Sequence, residues 1–118
     1  MQSVSVGGCM SLDITFKQRK AIICPKCGEV VDYKIICSAS SGGRAWYDFL
    51  EPIGYYVPHY LRTEENDWYG KDMVLTEKEA REAHQYVKTN NVFDLDNICG
   101  LIADALLEGD DVVVNADW

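Results

Sequence analysis

The sequence predicts an α+β fold, in which a small antiparallel sheet packs against two to three helices. Two observations lead to this prediction. Apolar residues alternate with polar ones near the start of the chain, as in strands, and recur every three or four residues in the last third, as in helices. The predicted strands come first and mostly helical segments follow, an order that is typical of α+β domains with an antiparallel sheet.

Two strands are predicted near the N-terminus. Residues 29–37 are rich in β-branched and aromatic side chains, so we expect them to form the second strand of an antiparallel hairpin. Residues 38–43 are rich in serine and glycine, which predicts a flexible loop. The first strand covers residues 12–16, where three apolar side chains fall on one face, namely Leu12, Ile14 and Phe16.

A short amphipathic helix and a long irregular segment are predicted next. Trp46, Phe49 and Leu50 have helical spacing, and Pro52 must end that helix because proline removes a backbone hydrogen bond. Residues 54–75 show no regular pattern and are rich in aromatic and acidic side chains. An irregular segment of this length in a small domain is often functional.

Two longer helices and a closing strand complete the predicted fold. Thr76 and Glu79 have the spacing of a capping box, which predicts a helix over residues 76–88. A second helix is predicted from Asp94 to Gly109, since glycine commonly follows a helix C-terminus. Residues 111–115 form a short β-branched strand.

Length and composition predict a single domain. The chain has 118 residues, enough for one hydrophobic core, and we expect a flexible tail at residues 1–10 and a single domain at residues 11–118. Its apolar runs are too short to cross a membrane. The five cysteines, an odd number, and the lack of a signal-peptide pattern predict a reducing, cytoplasmic location.

A Cys-x-x-Cys motif lies at the predicted hairpin turn. Cys24 and Cys27 can bind one tetrahedral zinc ion from a tight turn that Pro25 stiffens. Gly28 can adopt the positive φ that lets backbone N–H groups point at the sulfurs. The sequence therefore predicts a zinc knuckle at residues 24–28 with Zn²⁺ as cofactor. Two free thiols or a redox pair are the alternatives, although a redox motif would precede a helix rather than a strand.

The other two zinc ligands are less clearly defined. Cys37 is the next thiol along the chain, but it can reach the knuckle only if the strand bends back. His59 lies in a proline-containing loop, where its side chain is free to point at a metal. We expect the ligand set Cys24, Cys27, Cys37 and His59, with the last two as completions of the knuckle.

Charge is unevenly distributed along the chain. The net charge is −8, and the sequence divides into +3 over residues 1–44 and −11 over residues 45–118. The acidic part can be an ordinary solvated surface, or it can imitate a polyanion that seeks a basic partner. Direct binding of nucleic acid by the whole molecule is disfavoured, because the dominant charge repels phosphates.

The irregular segment contains the predicted partner-binding surface. Its acidic side chains Glu64, Glu65 and Asp67 precede the aromatic pair Trp68 and Tyr69. Aromatic side chains anchor interfaces, although some in this segment must also contribute to the core. Common hydrolase, zinc-protease and dinucleotide motifs are absent from the sequence, so we expect a binding protein rather than an enzyme.

Several stretches resemble small proteins encoded by phages and prophages of Firmicutes. They are residues 10–14, 24–28, 42–47 and 101–109. Within that group the chain is similar to type II-A anti-CRISPR proteins, which are phage-encoded inhibitors of Cas9, and a zinc-containing member would fit. These inhibitors share a function but no common set of motifs, so the resemblance assigns no site residues to this chain.

The resemblance implies a non-enzymatic protein in the cytoplasm of an infected or lysogenic bacterial host. It would bind Cas9 directly, at a basic surface of the recognition lobe, and hinder the loading of target DNA. The alternative is a zinc-knuckle accessory protein of the phage that binds nucleic acid through its basic N-terminal third.

Overall fold

The computed structural model describes residues 12–90 and 94–118, which form a four-stranded sheet and three α-helices. The strands are β1 (Asp13–Ile23), β2 (Val30–Gly42), β3 (Met73–Leu75) and β4 (Asp111–Asp117). The helices are α1 (Tyr47–Leu50), α2 (Glu77–Asn90) and α3 (Leu95–Glu108). The sheet order is β2–β1–β4–β3 and every neighbouring pair is antiparallel, so the predicted α+β class is confirmed. The tail predicted at residues 1–10 lies outside the described residues.

The core lies between the sheet and the helices. Strand β1 contributes the three side chains predicted to share a face, and Leu12, Ile14 and Phe16 are all buried. Helix α3 packs on β1, β2 and β4, and α2 packs on α3. The other side chains that these elements contribute to the buried core cluster are Ala39, Ala80, Ala83, Val87, Ile98, Leu101, Ile102, Ala105, Val112, Val114 and Ala116.

The predicted flexible loop over residues 38–43 is wrong, because β2 continues to Gly42, which pairs with Asp13. Ser41 is buried, and its hydroxyl accepts a hydrogen bond from the Trp46 indole N–H at 3.2 Å. A Cβ on Gly42 would lie 2.9 Å from the carbonyl oxygen of Leu12. The small residues therefore permit close packing here, whereas in sequence they resemble a turn.

The predicted start of α2 and the predicted end of α3 are confirmed, whereas α2 extends to Asn90, two residues beyond its predicted end. The hydroxyl of Thr76 accepts a hydrogen bond from the Glu79 N–H at 3.1 Å, and the Glu79 carboxylate accepts one from the Thr76 N–H at 2.9 Å. Gly109 ends α3 with a φ of 73°. The short helix predicted around Trp46 consists of a 3₁₀ turn over Arg44–Trp46 followed by α1.

The irregular segment after α1 contains one 3₁₀ turn, His59–Leu61, and leads into β3, which the sequence pattern did not predict. The Tyr55 hydroxyl fastens this segment to the sheet, since it donates to the carbonyl of Lys71 at 2.6 Å and accepts from the N–H of Ala116 at 2.7 Å. No helix in the described part of the chain is long and apolar enough to cross a membrane.

Candidate functional site

The outer part of the β1–β2 hairpin projects from the body of the protein. Strand β1 pairs with β4 from Asp13 to Arg19, and beyond Arg19 it pairs with β2 alone among the described residues. We call residues 19–36 the arm. The arm makes the protein elongated, with extents of 59 × 34 × 23 Å.

Polar contacts fasten the root of the arm to the body. The guanidinium of Arg19 donates to the Asp111 carboxylate at 2.7 and 3.1 Å and lies 3.8 Å from the centre of the Tyr33 ring. The buried Gln18 amide donates to Asp110 at 2.9 Å. These contacts fix the direction in which the arm leaves the sheet.

The arm exposes an unusual amount of apolar surface. Of the twelve large apolar side chains that are strongly exposed in the described residues, seven lie on the arm. Register shifts interrupt its pairing after Gln18 and after Ile22, and adjacent apolar residues such as Val30 and Val31 present side chains on both faces. Exposed apolar surface of this extent usually marks an interaction site. The seven residues are Ile22, Ile23, Val30, Val31, Tyr33, Ile35 and Ile36.

The tip of the arm is a tight turn that contains the two cysteines of the predicted zinc knuckle. The Gly28 N–H donates to the Cys24 carbonyl at 2.9 Å, and Gly28 has the expected positive φ, 74°. Hydrogen bonds from the Cys27 N–H, the Cys27 thiol and the Lys26 N–H lower the pKa of Cys24 below its ordinary value. Cys27 is exposed and Cys24 is partly exposed, so both sulfurs are accessible.

The structure does not bring the other two predicted zinc ligands to the knuckle. Cys37 pairs with Gln18, six residues before Cys24 on β1. That separation is about 20 Å at roughly 3.3 Å per residue. His59 lies in the 3₁₀ turn of the irregular segment. In residues 12–90 and 94–118, no three side chains of the His, Cys, Asp and Glu types are grouped to hold a metal ion. The turn thus offers two cysteine sulfurs and no further ligand from the described part of the chain.

The predicted partner-binding residues lie on a loop, residues 58–70, which we call the acidic loop. Glu64 and Glu65 are exposed, and the Asp67 carboxylate accepts a hydrogen bond from the Tyr69 N–H at 3.1 Å. The side chain of Asn66 holds the loop, because it accepts from the Thr63 N–H at 2.7 Å and donates to a backbone carbonyl at 3.2 Å.

The two aromatic residues predicted as anchors have different surroundings. Trp68 is partly buried and its ring stacks on Tyr55 at 6.2 Å, so it contributes mainly to the core. Tyr69 is 49% exposed and contacts the ring of Trp118 edge-on at 5.0 Å. Tyr60 and Leu61 of the same loop are more exposed, at 82% and 57%, and sequence analysis did not identify them.

The exposed apolar residues of the arm were not predicted as a site either, although the sequence contains a sign of them. Consecutive apolar pairs such as Val30–Val31 and Ile35–Ile36 place apolar groups on both faces of a strand. A strand at the edge of a sheet can bury both faces only against another molecule or another layer. The exposure of Tyr60 and Leu61 has no comparable sign, because it depends on how the acidic loop folds.

Helices α2 and α3 form a groove on the surface of the protein. It is open, has a volume of about 580 Å³, and is lined by Arg81, His84, Ala103, Leu106 and Leu107. His84 is partly buried at the wall of this groove. The groove contains no carboxylate beside His84, so its lining lacks an acid–base pair of the usual kind.

Comparison of the chain with protein-family models, with curated proteins and with solved structures gave no match. The arm, the knuckle and the acidic loop are therefore interpreted from their own chemistry.

Proposed function

We propose that this chain is a non-enzymatic inhibitor that binds the Cas9 nuclease of a bacterial host and hinders the loading of target DNA. The observation that carries the proposal is the separation of charge in the fold. The arm contains four Lys/Arg and two Asp/Glu residues, which give it a net charge of +2. The rest of the chain contains seven Lys/Arg and seventeen Asp/Glu residues, which give it a net charge of −10. The body therefore presents an acidic surface.

An acidic body suits the proposed target. Cas9 holds nucleic acid in positively charged channels and recognises its backbone rather than its sequence. A protein of opposite charge is attracted to such a surface and competes with the phosphates for it. We place the contact at a basic surface of the recognition lobe, and the site of action in the cytoplasm of an infected or lysogenic host. The choice of Cas9 rests on the resemblance to anti-CRISPR proteins.

The acidic loop is the proposed contact surface. It combines the exposed carboxylates of Glu64 and Glu65 with the exposed apolar side chains of Tyr60, Leu61 and Tyr69. Acidic groups at the rim steer the encounter, and apolar groups that lose water on binding supply most of the affinity. The hydrogen bonds of Asn66 order the loop before binding, which reduces the entropy lost on association.

Cas9 cleavage and target-DNA binding, measured with and without excess protein, test the proposal. We expect both activities to fall, and the double charge reversal Glu64→Lys with Glu65→Lys to restore them. The matched control is Asp104→Lys with Glu108→Lys on the exposed side of α3, which changes the net charge equally. Undiminished cleavage without a detectable complex would rule out the proposal. Equal loss with both pairs would rule out the acidic loop as the contact.

A second candidate function is favoured by the arm itself. Lys20, Lys26 and Lys34 lie on a projecting hairpin together with the partly exposed ring of Tyr33, and cationic and aromatic groups together bind single-stranded nucleic acid. In that case the chain is an accessory protein that uses its basic N-terminal third. Gel shifts with DNA and RNA at low and moderate salt distinguish the two, since the Cas9 inhibitor needs no affinity for free nucleic acid.

A further inference from the structure

The predicted knuckle at the tip of the arm has two of the four ligands that a zinc ion needs. Zinc in structural sites binds four ligands in a tetrahedron, and thiolate sulfurs are among its preferred ligands. Cys24 and Cys27 can supply two such ligands from one turn, which the hydrogen bond from the Gly28 N–H to the Cys24 carbonyl closes at 2.9 Å. Two more ligands are needed to complete the tetrahedron.

The same chain cannot supply them at the tip. Cys37 lies about 20 Å along the hairpin, as its pairing with Gln18 requires. Cys99 is on α3, in the body of the protein. Cys9 lies outside the described residues, but the four residues from it to Asp13 span at most about 14 Å. Strand β1 carries Cys24 about 36 Å from Asp13.

We propose that one zinc ion is bound between two copies of this chain, each of which contributes Cys24 and Cys27. Both sulfurs are accessible at the end of a projecting arm, so two tips can meet without a clash between the bodies. Because each copy contributes the same pair of ligands, the contact closes on itself as a twofold dimer. The ion thus joins the chains and completes a four-thiolate site.

The apolar surface beside the knuckle supports a second copy as the occupant. Ile23 and Val30, which pair with each other at the end of the hairpin, are 50% and 48% exposed, and Val31 is 63% exposed. Two tips that approach a common ion bring these side chains together and remove them from water.

Charge favours contact at the tips over contact between the bodies. Each body has a net charge of −10, so two bodies repel each other at short range. The five residues from Arg19 to Cys24 span about 16 Å at roughly 3.3 Å per residue, and two arms in line separate the bodies by about twice that distance. This separation exceeds the Debye length of about 8 Å at physiological ionic strength, so the repulsion is screened.

Molar mass in solution tests the proposal. Full-length, metal-free protein under a non-thiol reductant is titrated with Zn²⁺ and followed by light scattering. We expect a monomer that becomes a dimer and reaches its end point at one zinc per two chains. Cys24→Ser and Cys27→Ser should stay monomeric at the same zinc concentration. Cys9→Ser and Cys37→Ser are the matched controls, and they should form the dimer as the unmodified chain does.

Titration with Co²⁺ gives a readout that depends on no variant. The visible absorption of cobalt in a tetrahedral four-thiolate site should saturate at one ion per two chains. Saturation at one ion per monomeric chain would overturn the proposal, as would the absence of any metal binding. A dimer that forms without metal and persists in Cys24→Ser would also overturn it, because the arms would then associate through apolar contacts alone.

Discussion

At the scale of single residues, the hydroxyl of Tyr55 holds two parts of the structure together. The residue is fully buried, and its hydroxyl bonds to the backbone of Lys71 and Ala116. Tyr55→Phe leaves these buried groups without a partner, so we expect the free energy of unfolding to fall by about 1–3 kcal/mol. Urea denaturation measures the loss. Tyr60→Phe is the control, because Tyr60 is 82% exposed and should change stability little.

Asp72 makes stability depend on pH. Its carboxylate accepts hydrogen bonds from Asn115 and from Lys17, and these contacts lower the pKa of Asp72 below the ordinary value of 3.8. A lowered pKa in the folded state stabilises the fold above the unfolded pKa, and this contribution is lost as the pH falls. We therefore expect Asp72→Asn to flatten the decline in stability below about pH 4. Because the side chain is half exposed, the change should be small.

Thermal unfolding at a series of pH values checks that expectation. The control is Asp104→Asn, whose carboxylate is exposed on α3. If Asp72→Asn and the control give the same pH profile, the contacts of Asp72 do not contribute to stability.

At the scale of elements, the start of α2 depends on its capping box. Thr76→Ala removes the hydroxyl that accepts the hydrogen bond of the Glu79 N–H, and it should cost about 1 kcal/mol. Thr89→Ala near the other end of α2 is the control. Its hydroxyl donates to the Gln85 carbonyl, which already takes part in the hydrogen bonding of the helix. The loss of stability should therefore be smaller. If chemical denaturation shows that Thr76→Ala and Thr89→Ala lower the free energy of unfolding equally, the capping hydrogen bond does not stabilise α2 more than the other one does.

Elements with local causes could be predicted from the sequence. The capping box predicted the start of α2, Gly109 predicted the end of α3, and the Cys-x-x-Cys turn predicted the position of the hairpin. Each of these features depends on residues that lie a few positions apart. Strand β3 and the second half of β2 could not be predicted, since both exist through pairing with distant strands. Small residues at positions 38–42 look like a loop until the packing of Trp46 is known.

The candidate site was only partly predictable for the same reason. The turn that contains Cys24 and Cys27 depends on neighbouring residues, and it lies at the end of the hairpin as predicted. Whether Cys37 can reach this turn depends on the length of the hairpin. The ring of Trp68 looks like an exposed anchor among acidic neighbours in the sequence, yet it stacks on Tyr55. Which side of a loop faces water is decided by tertiary contacts, and these have no signature in adjacent residues.

At the scale of the whole molecule, the separation of charge makes a kinetic prediction for the proposed complex with Cas9. Long-range attraction between the acidic body and a basic surface raises the association rate, and salt screens it. We expect the association rate to fall steeply as ionic strength rises from about 0.05 to about 0.5 M, while the dissociation rate changes much less. Surface binding kinetics at several salt concentrations give both rates.

Two variants separate steering from anchoring in that experiment. Glu64→Lys with Glu65→Lys should slow association and reduce its dependence on salt, because it removes attractive charge from the rim. Tyr60→Ala should speed dissociation and leave the salt dependence unchanged, since it removes a neutral group that loses water on binding. An association rate that does not respond to salt would show that the acidic body does not steer binding. The complex would then have to rest on apolar contacts, and the arm would be the first surface to test.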